Sequence, residues 1–291
     1  MTRSKATLIG FAAVILWSML ALLTVGSAPV PPLMLNAICF GIGGLVGLVW
    51  LALSGEIGSL RRVPLKVYVI GTAGLFGYHF FYFSALRMAP AAEAGLIAYL
   101  WPLLIVLMSA LLPGETLKRG HILGGLLGFA GAATILLGGR AGSVDGAMAG
   151  YALALVCAFT WSGYSILSRS FGAVPTGSVA VFCIATAVLS ALAHLRFETA
   201  LWPENTLGWL SVIGLGLGPV GLAFYVWDIG VKKGDIQLLG VASYAAPVLS
   251  TLILVLAGVA APSWSLLAAA ILITAGAALA ARASGQARGS A

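Results

Sequence analysis

Chemistry in this 291-residue chain is concentrated between Tyr78 and Pro102. That stretch carries His79, one of three histidines, beside Tyr78 and Tyr82, and continues through Glu93, Tyr99 and Trp101 to the proline. On a helix, residues three and four apart are neighbours, so Tyr78, His79 and Tyr82 share one face. Such a face offers rings for an apolar or aromatic surface, and hydroxyl and imidazole groups for polar ends; this is binding chemistry. Pro102 has no amide N–H and leaves the Ala98 carbonyl without its helical donor, an acceptor that must find a partner or line a wet cavity. Tyr99 and Trp101 stand about 200° apart on an ideal helix, so both reach one cavity only if Pro102 distorts it.

The elements that position these residues are membrane helices. The chain is 61% hydrophobic and 8% charged with 38 glycines, far below the charged fraction of about 25% usual in soluble domains. Ten apolar segments of about the length that crosses a bilayer fall at 6–26, 33–54, 65–87, 91–112, 119–138, 147–169, 176–195, 206–230, 235–257 and 263–282. Alternating short segments with polar inner faces, the mark of a transmembrane barrel, are absent, so the expected class is an all-α membrane protein. A polar, aromatic face such as Tyr78/His79/Tyr82 is costly against lipid tails and is expected to look inward.

The net charge of +7 is a topology signal. With the amino terminus in the cytoplasm, twelve of the 15 basic residues fall inside: Arg3, Lys5, Arg61, Arg62, Lys66, Lys118, Arg119, Arg169, Lys232, Lys233, Arg282 and Arg288. Arg87, Arg140 and Arg196 fall outside. This bias places both termini in the cytoplasm and leaves no need for a nucleic-acid partner. The first segment follows Arg3 and Lys5 like a secretory signal, but its apolar run exceeds the usual length of about 7–15 residues, so a retained helix is expected.

The second half repeats the first. Trp161-Ser162 stands 144 residues after Trp17-Ser18, and Gly240, Tyr244 and Pro247 stand 145 after Gly95, Tyr99 and Pro102. Five helices per repeat require opposite orientations, giving two inverted repeats, 1–139 and 140–291. Matched proline breaks in such repeats point to a transporter with a midplane site, where Pro247 would free the Ser243 carbonyl as Pro102 frees that of Ala98. The expected substrate-binding set is Trp17, Tyr78, His79, Tyr82, Tyr99, Trp101, Trp161, Ser243 and Tyr244. Glu93, Asp228 and His79 are the candidates for carrying a coupling proton. Against this, Glu93 suits the first turn of a helix, and Asp228 lies four residues before Lys232, spaced for an ion pair.

Other groups read as structural. Gly214 to Gly221 mimics a dinucleotide fingerprint, but no strand precedes it and it lies in an apolar helix, as helix packing or a hinge requires. Gly120, Gly124, Gly125, Gly128 and Gly131 suit close packing of the fifth helix. Cys39, Cys157 and Cys183 lack metal-ligand spacing, and His121 and His194 lie near helix ends without companions. No nucleophile-base-orienter set appears, so no enzyme is expected, and neither a metal nor a cofactor.

Ten helices in two inverted repeats, tryptophan early in the first and sixth, the hairpin Arg87-Met88-Ala89-Pro90, and Leu112-Pro113-Gly114-Glu115 before a glycine-rich helix resemble the EamA-type members of the drug/metabolite transporter superfamily. The cluster ending in Tyr99-Leu100-Trp101-Pro102 is most similar to the amino-acid exporters among them. The second half departs from the pattern, with Ala260-Ala261-Pro262 where a second glutamate motif would stand. The resemblance implies a multi-pass bacterial inner-membrane exporter of neutral amino acids, aromatic ones included, working by alternating access through a central cavity. Its partners would be the small-molecule substrate and membrane lipid, with no obligate protein partner. In that reading backbone carbonyls at Ala98 and Ser243 take the ammonium, and hydroxyls with His79 take the carboxylate. A drug or other small-metabolite exporter of the same architecture is the alternative, and a non-transporting membrane scaffold or receptor is the alternative of another class.

Overall fold

The computed structural model describes residues 1–136, 147–258 and 261–288. The expected boundary at 139/140, and Arg140 with it, lie outside the described residues. The elements, in order, are α1 (Arg3–Ser18), α2 (Leu20–Gly26), α3 (Pro32–Leu53), α4 (Leu65–Met88), α5 (Ala91–Ala98), α6 (Trp101–Met108) and α7 (Arg119–Leu136), then α8 (Met148–Ser170), α9 (Ser178–Phe197), α10 (Thr206–Leu217), α11 (Ala223–Lys233), α12 (Ile236–Ala242), α13 (Ala245–Leu256) and α14 (Trp264–Arg288). Among the described residues, nine helices or helix pairs are long and apolar enough to cross a membrane.

Local sequence explains where the helices start. Thr2 caps α1 by accepting from the Lys5 amide, Asn205 caps α10 through the Gly208 amide, and Asp235 caps α12 through the Leu238 amide. Pro31 and Pro32 open α3, where a missing N–H costs nothing. In the Leu-Pro-Gly-Glu turn before α7, Gly114 takes a φ of 77°, a backbone that side chains disfavour.

Four of the crossings are interrupted. The first breaks at Met19 between α1 and α2. The Pro102 crossing breaks at Tyr99–Leu100, and the Pro247 crossing at Ser243–Tyr244. Between α10 and α11, Gly218–Leu222 forms a π-helical turn, which makes the glycine-rich stretch a deformation in a helix.

Packing follows pairs. α7 runs along α14 and α3 along α9, while α4 packs on α8 and α1 on α11. α6 meets α8, α13 meets α1, and α6 crosses α12. Glycine lets α7 close on α14, where a Cβ at Gly124 would fall 2.5 Å from the Gly276 carbonyl oxygen. Outward faces carry exposed Leu45, Val49 and Leu53 of α3, Leu192 and Leu195 of α9, and Leu267 and Ile271 of α14. Within an apolar solvent such a surface has no cost. The start of α1 and the last turns of α14 lie at one end of the bundle, joined through Arg3–Glu115 and His121–Ser284 contacts with the turn before α7 and its first residues.

Candidate functional site

The centre of the bundle is a set of four tryptophans. Trp17 of α1, Trp101 of α6, Trp161 of α8 and Trp227 of α11 lie with ring centroids 5.1 to 6.3 Å apart. Mostly edge-to-face or tilted, these contacts suit the ring quadrupoles, and Trp161 on Trp227 is stacked. Polar ties hold the rings. Trp17 Nε1 donates to the Pro219 carbonyl in the π-helical turn (3.1 Å), where the distorted backbone leaves an oxygen available. Trp227 Nε1 donates to Ser165 Oγ (3.1 Å), and Ser162 Oγ lies 2.9 Å from the Trp101 carbonyl. Its counterpart Ser18 stays within its own helix, 2.6 Å from the Ile15 carbonyl.

A second aromatic tier adjoins this set. Phe224 touches Trp17 and Trp161 and stacks on Phe40, whose edge meets His79 at 5.0 Å. Tyr78 packs on Trp161 at 5.5 Å and stacks on Tyr82 at 6.1 Å. The expected common face of Tyr78, His79 and Tyr82 is therefore directed at the other helices. These three residues and Tyr99 keep part of their surface accessible, whereas Trp101, Trp161 and Trp227 are buried. His79 Nδ1 lies 2.8 Å from the Leu75 carbonyl. An acceptor oxygen there assigns the proton of a neutral ring to Nδ1 and leaves Nε2 as a lone-pair acceptor.

The two proline breaks differ from expectation. At the first, the break separates Trp101, which joins the tryptophans, from Tyr99, which packs beside Phe129, Ala132 and Tyr244. At the second, the Ser243 carbonyl is not free: the Ala246 amide donates to it at 3.1 Å, because the turn after α12 tightens to an i+3 bond. The Ser243 hydroxyl is likewise taken by the Leu239 carbonyl (2.7 Å). Tyr244 is fully buried, and its hydroxyl accepts from the Leu103 amide (3.2 Å), a donor left over where the Pro102 break ends the ladder. Ser243 and Tyr244 thus complete the backbone of the two breaks instead of facing the tryptophans.

The two breaks also close unequally. A Cβ placed at Gly240 would lie 2.9 Å from Val106 Cγ2 and 3.0 Å from the Pro102 carbonyl, but at Gly95 the nearest atom would be Tyr82 Oη at 4.0 Å.

Comparison with known proteins decides the family. The EamA-like transporter family model matches residues 4–137 and again 148–282. This chain belongs to the EamA-like transporter family. It is 58% identical over 283 residues to the aromatic amino acid exporter YddG of Ancylobacter novellus, covering 96% of this chain and 98% of that one. It is 28% identical to the exporter of the same name from Salmonella typhimurium and 27% to that of Escherichia coli, covering 88% and 87% of this chain and 89% and 88% of theirs. A crystal structure 57% identical in sequence superimposes with a TM-score of 0.91, covering 96% of this chain and 98% of the other. As an EamA-family member the chain is a multi-pass bacterial inner-membrane transporter and not an enzyme.

Around the aromatic centre of this EamA-family protein lie two ionic clusters. At the end bearing the start of α1 and the last turns of α14, Glu115 bridges Arg3 (3.0 Å) and Arg169, Arg169 also donates to the Val231 and Gly234 carbonyls, and Arg3 reaches Asp235 at 3.6 Å. At the opposite end Glu198 meets Arg87 (2.7 Å) and His194 (3.0 Å) and accepts from the Leu33 and Met34 amides opening α3. His121 and His194 do have companions after all: His121 bonds the Lys118 amide and Ser284, and His194 bonds Glu198. Of the other acids, Glu93 accepts from Tyr151, and Asp228 lies buried among Ser168, Thr176 and Lys232, the ion pair that its spacing allows. Trp227 and Glu198 escaped the sequence reading. The signal for Trp227 was its spacing of three from Phe224, which stands 145 residues after His79; that for Glu198 was its spacing of four after His194, its other partners, Arg87 and the Leu33 and Met34 amides, being distant in sequence.

Proposed function

We propose that this protein exports neutral amino acids, aromatic ones among them, by alternating access between two inverted five-helix repeats, with ten spans and both termini in the cytoplasm. The observation that carries this reading is the convergence of Trp17, Trp101, Trp161 and Trp227, from both halves of the chain, three of them on interrupted crossings and Trp161 on the continuous α8. The name of the 58% identical relative points the same way. Support for the repeats comes from the contacts, since α4 on α8 is answered by α1 on α11, and α6 on α8 by α13 on α1. The two ranges matched by the family fall on either side of the 139/140 boundary.

In this reading the substrate side chain lies on the tryptophans and Phe224, and its charged ends face Tyr78, Tyr82, Tyr99 and His79. The His79 geometry reverses the role expected of it, because a ring that donates through Nδ1 to Leu75 offers Nε2 to an ammonium. Carboxylate recognition then falls to the tyrosine hydroxyls. The conformation is closed toward the cytoplasm by the α6–α12 crossing and the Glu115 bridge, and looser toward the outside around Gly95. Amino acids are favoured over cationic drugs because the nearest buried acid, Asp228, is held by Lys232. Counterflow in liposomes against tryptophan, phenylalanine, methionine, threonine and a cationic dye tests this. Exchange of the amino acids is expected, and movement of the dye alone would overturn the amino-acid reading.

A further inference from the structure

Away from the aromatic centre, a groove of about 390 Å³ lies over α12, within the range of about 300–1,000 Å³ typical of small-molecule sites. Leu238, Leu239 and Ala242 form its floor, Leu8 and Phe11 of α1 one wall, and Ser284 of α14 part of the other. The groove runs along membrane-spanning segments, so an apolar slot here meets acyl chains. Its end nearest the termini is different. Lys5 and Arg282 adjoin lining residues Ser4 and Ala281, and both are exposed. Neither has an ion-pair partner among the described residues, whereas neighbouring Arg3 is engaged by Glu115 and Asp235. An apolar slot with two exposed cations on its flanking helices, each one residue past a lining position and without an ion-pair partner among the described residues, complements a molecule with an apolar tail and an anionic head.

We propose that this groove binds one anionic phospholipid, with an acyl chain against Leu8, Phe11 and Leu238 and the phosphodiester between Lys5 and Arg282. The site is separate from the tryptophans and needs only that the chain spans a bilayer, not that it moves amino acids. It has a structural consequence, because α12 is the short half of a broken helix, and the residues that follow it include Tyr244, which caps the other break at Leu103. A lipid lying on α12 supports a helix that lacks a full neighbour on that side.

Native mass spectrometry of the full chain with equal amounts of phosphatidylglycerol and phosphatidylcholine of the same acyl chains tests this. The phosphatidylglycerol adduct should exceed the other on the order of tenfold, as two cations near a membrane surface imply. The double variant Lys5→Gln/Arg282→Gln should bring the two lipids to near parity while total lipid remains bound. Leu238→Trp, which fills the floor, should remove both adducts, with its melting temperature reporting whether it folds. Equal adducts in the unaltered protein, a preference that survives the double variant, or a protein dimer carrying no lipid would each overturn the site. The double variant changes only exposed side chains and decides the matter even if Leu238→Trp does not fold.

Discussion

Trp227 shows how a residue can be central without any motif announcing it. It is fully buried, touches Trp17, Trp101 and Trp161, and is the one tryptophan of the four whose indole N–H is held by a side chain, Ser165. Truncating a buried aromatic removes its transfer energy and leaves a cavity, together about 3–5 kcal/mol. Trp227→Ala is therefore expected to lower the melting temperature in detergent markedly and to abolish counterflow. Trp264, 86% exposed on the surface of α14, provides the contrast, since Trp264→Ala should stay within about 0.5 kcal/mol of the unaltered protein. Similar melting shifts in the two variants would show that Trp227 does not bind the cluster together.

Among the elements, the proline-broken crossings are a matched pair that the fold uses unequally. Gly240 sits where α12 presses on α6, with Val106 and the Pro102 carbonyl at the distance of a methyl contact or less. Gly95, its counterpart on α5, has room. Overpacking a close crossing costs about 1–3 kcal/mol, so Gly240→Ala should destabilise. Gly95→Ala should be neutral or slightly stabilising, because alanine is the better helix former by roughly 1 kcal/mol. The check is a pair of thermal unfolding curves, and the asymmetry is refuted if the two variants shift alike.

For the whole molecule, the Glu115 bridge is the feature that ties the halves at one end. It joins Arg3 and the turn before α7 to the end of α8, and through Arg169 to the carbonyls closing α11. Glu115→Gln keeps the shape and removes the charge, so the end bearing the termini should open more often. In a background lacking Cys39, Cys157 and Cys183, a cysteine replacing the fully buried Val231 should be alkylated several-fold faster in the Glu115→Gln protein. No change in rate would mean that the bridge does not hold this end shut. With one such glutamate, and Ala260-Ala261-Pro262 at the corresponding connection of the second half, the two ends carry different ionic clusters. Glu198, with Arg87, His194 and the first amides of α3, serves the opposite end.

Membrane class, nine of the ten expected span positions, the early tryptophans and the two proline breaks were legible in the amino-acid order, because each depends on length, hydropathy or the loss of a single N–H. The inward face of Tyr78, His79 and Tyr82 was legible for the same reason, helical period and the cost of polar groups in lipid. What each break does with its freed groups was not. The Ser243 carbonyl is satisfied by Ala246 through a local tightening of the turn, and the Leu103 amide by Tyr244, 141 residues away, a pairing that depends on how helices from different halves cross. The same holds for Trp227 and for Ser284, the distant companion of His121. Local sequence determines which groups need partners in a low-dielectric interior; only the tertiary packing decides which partners they meet.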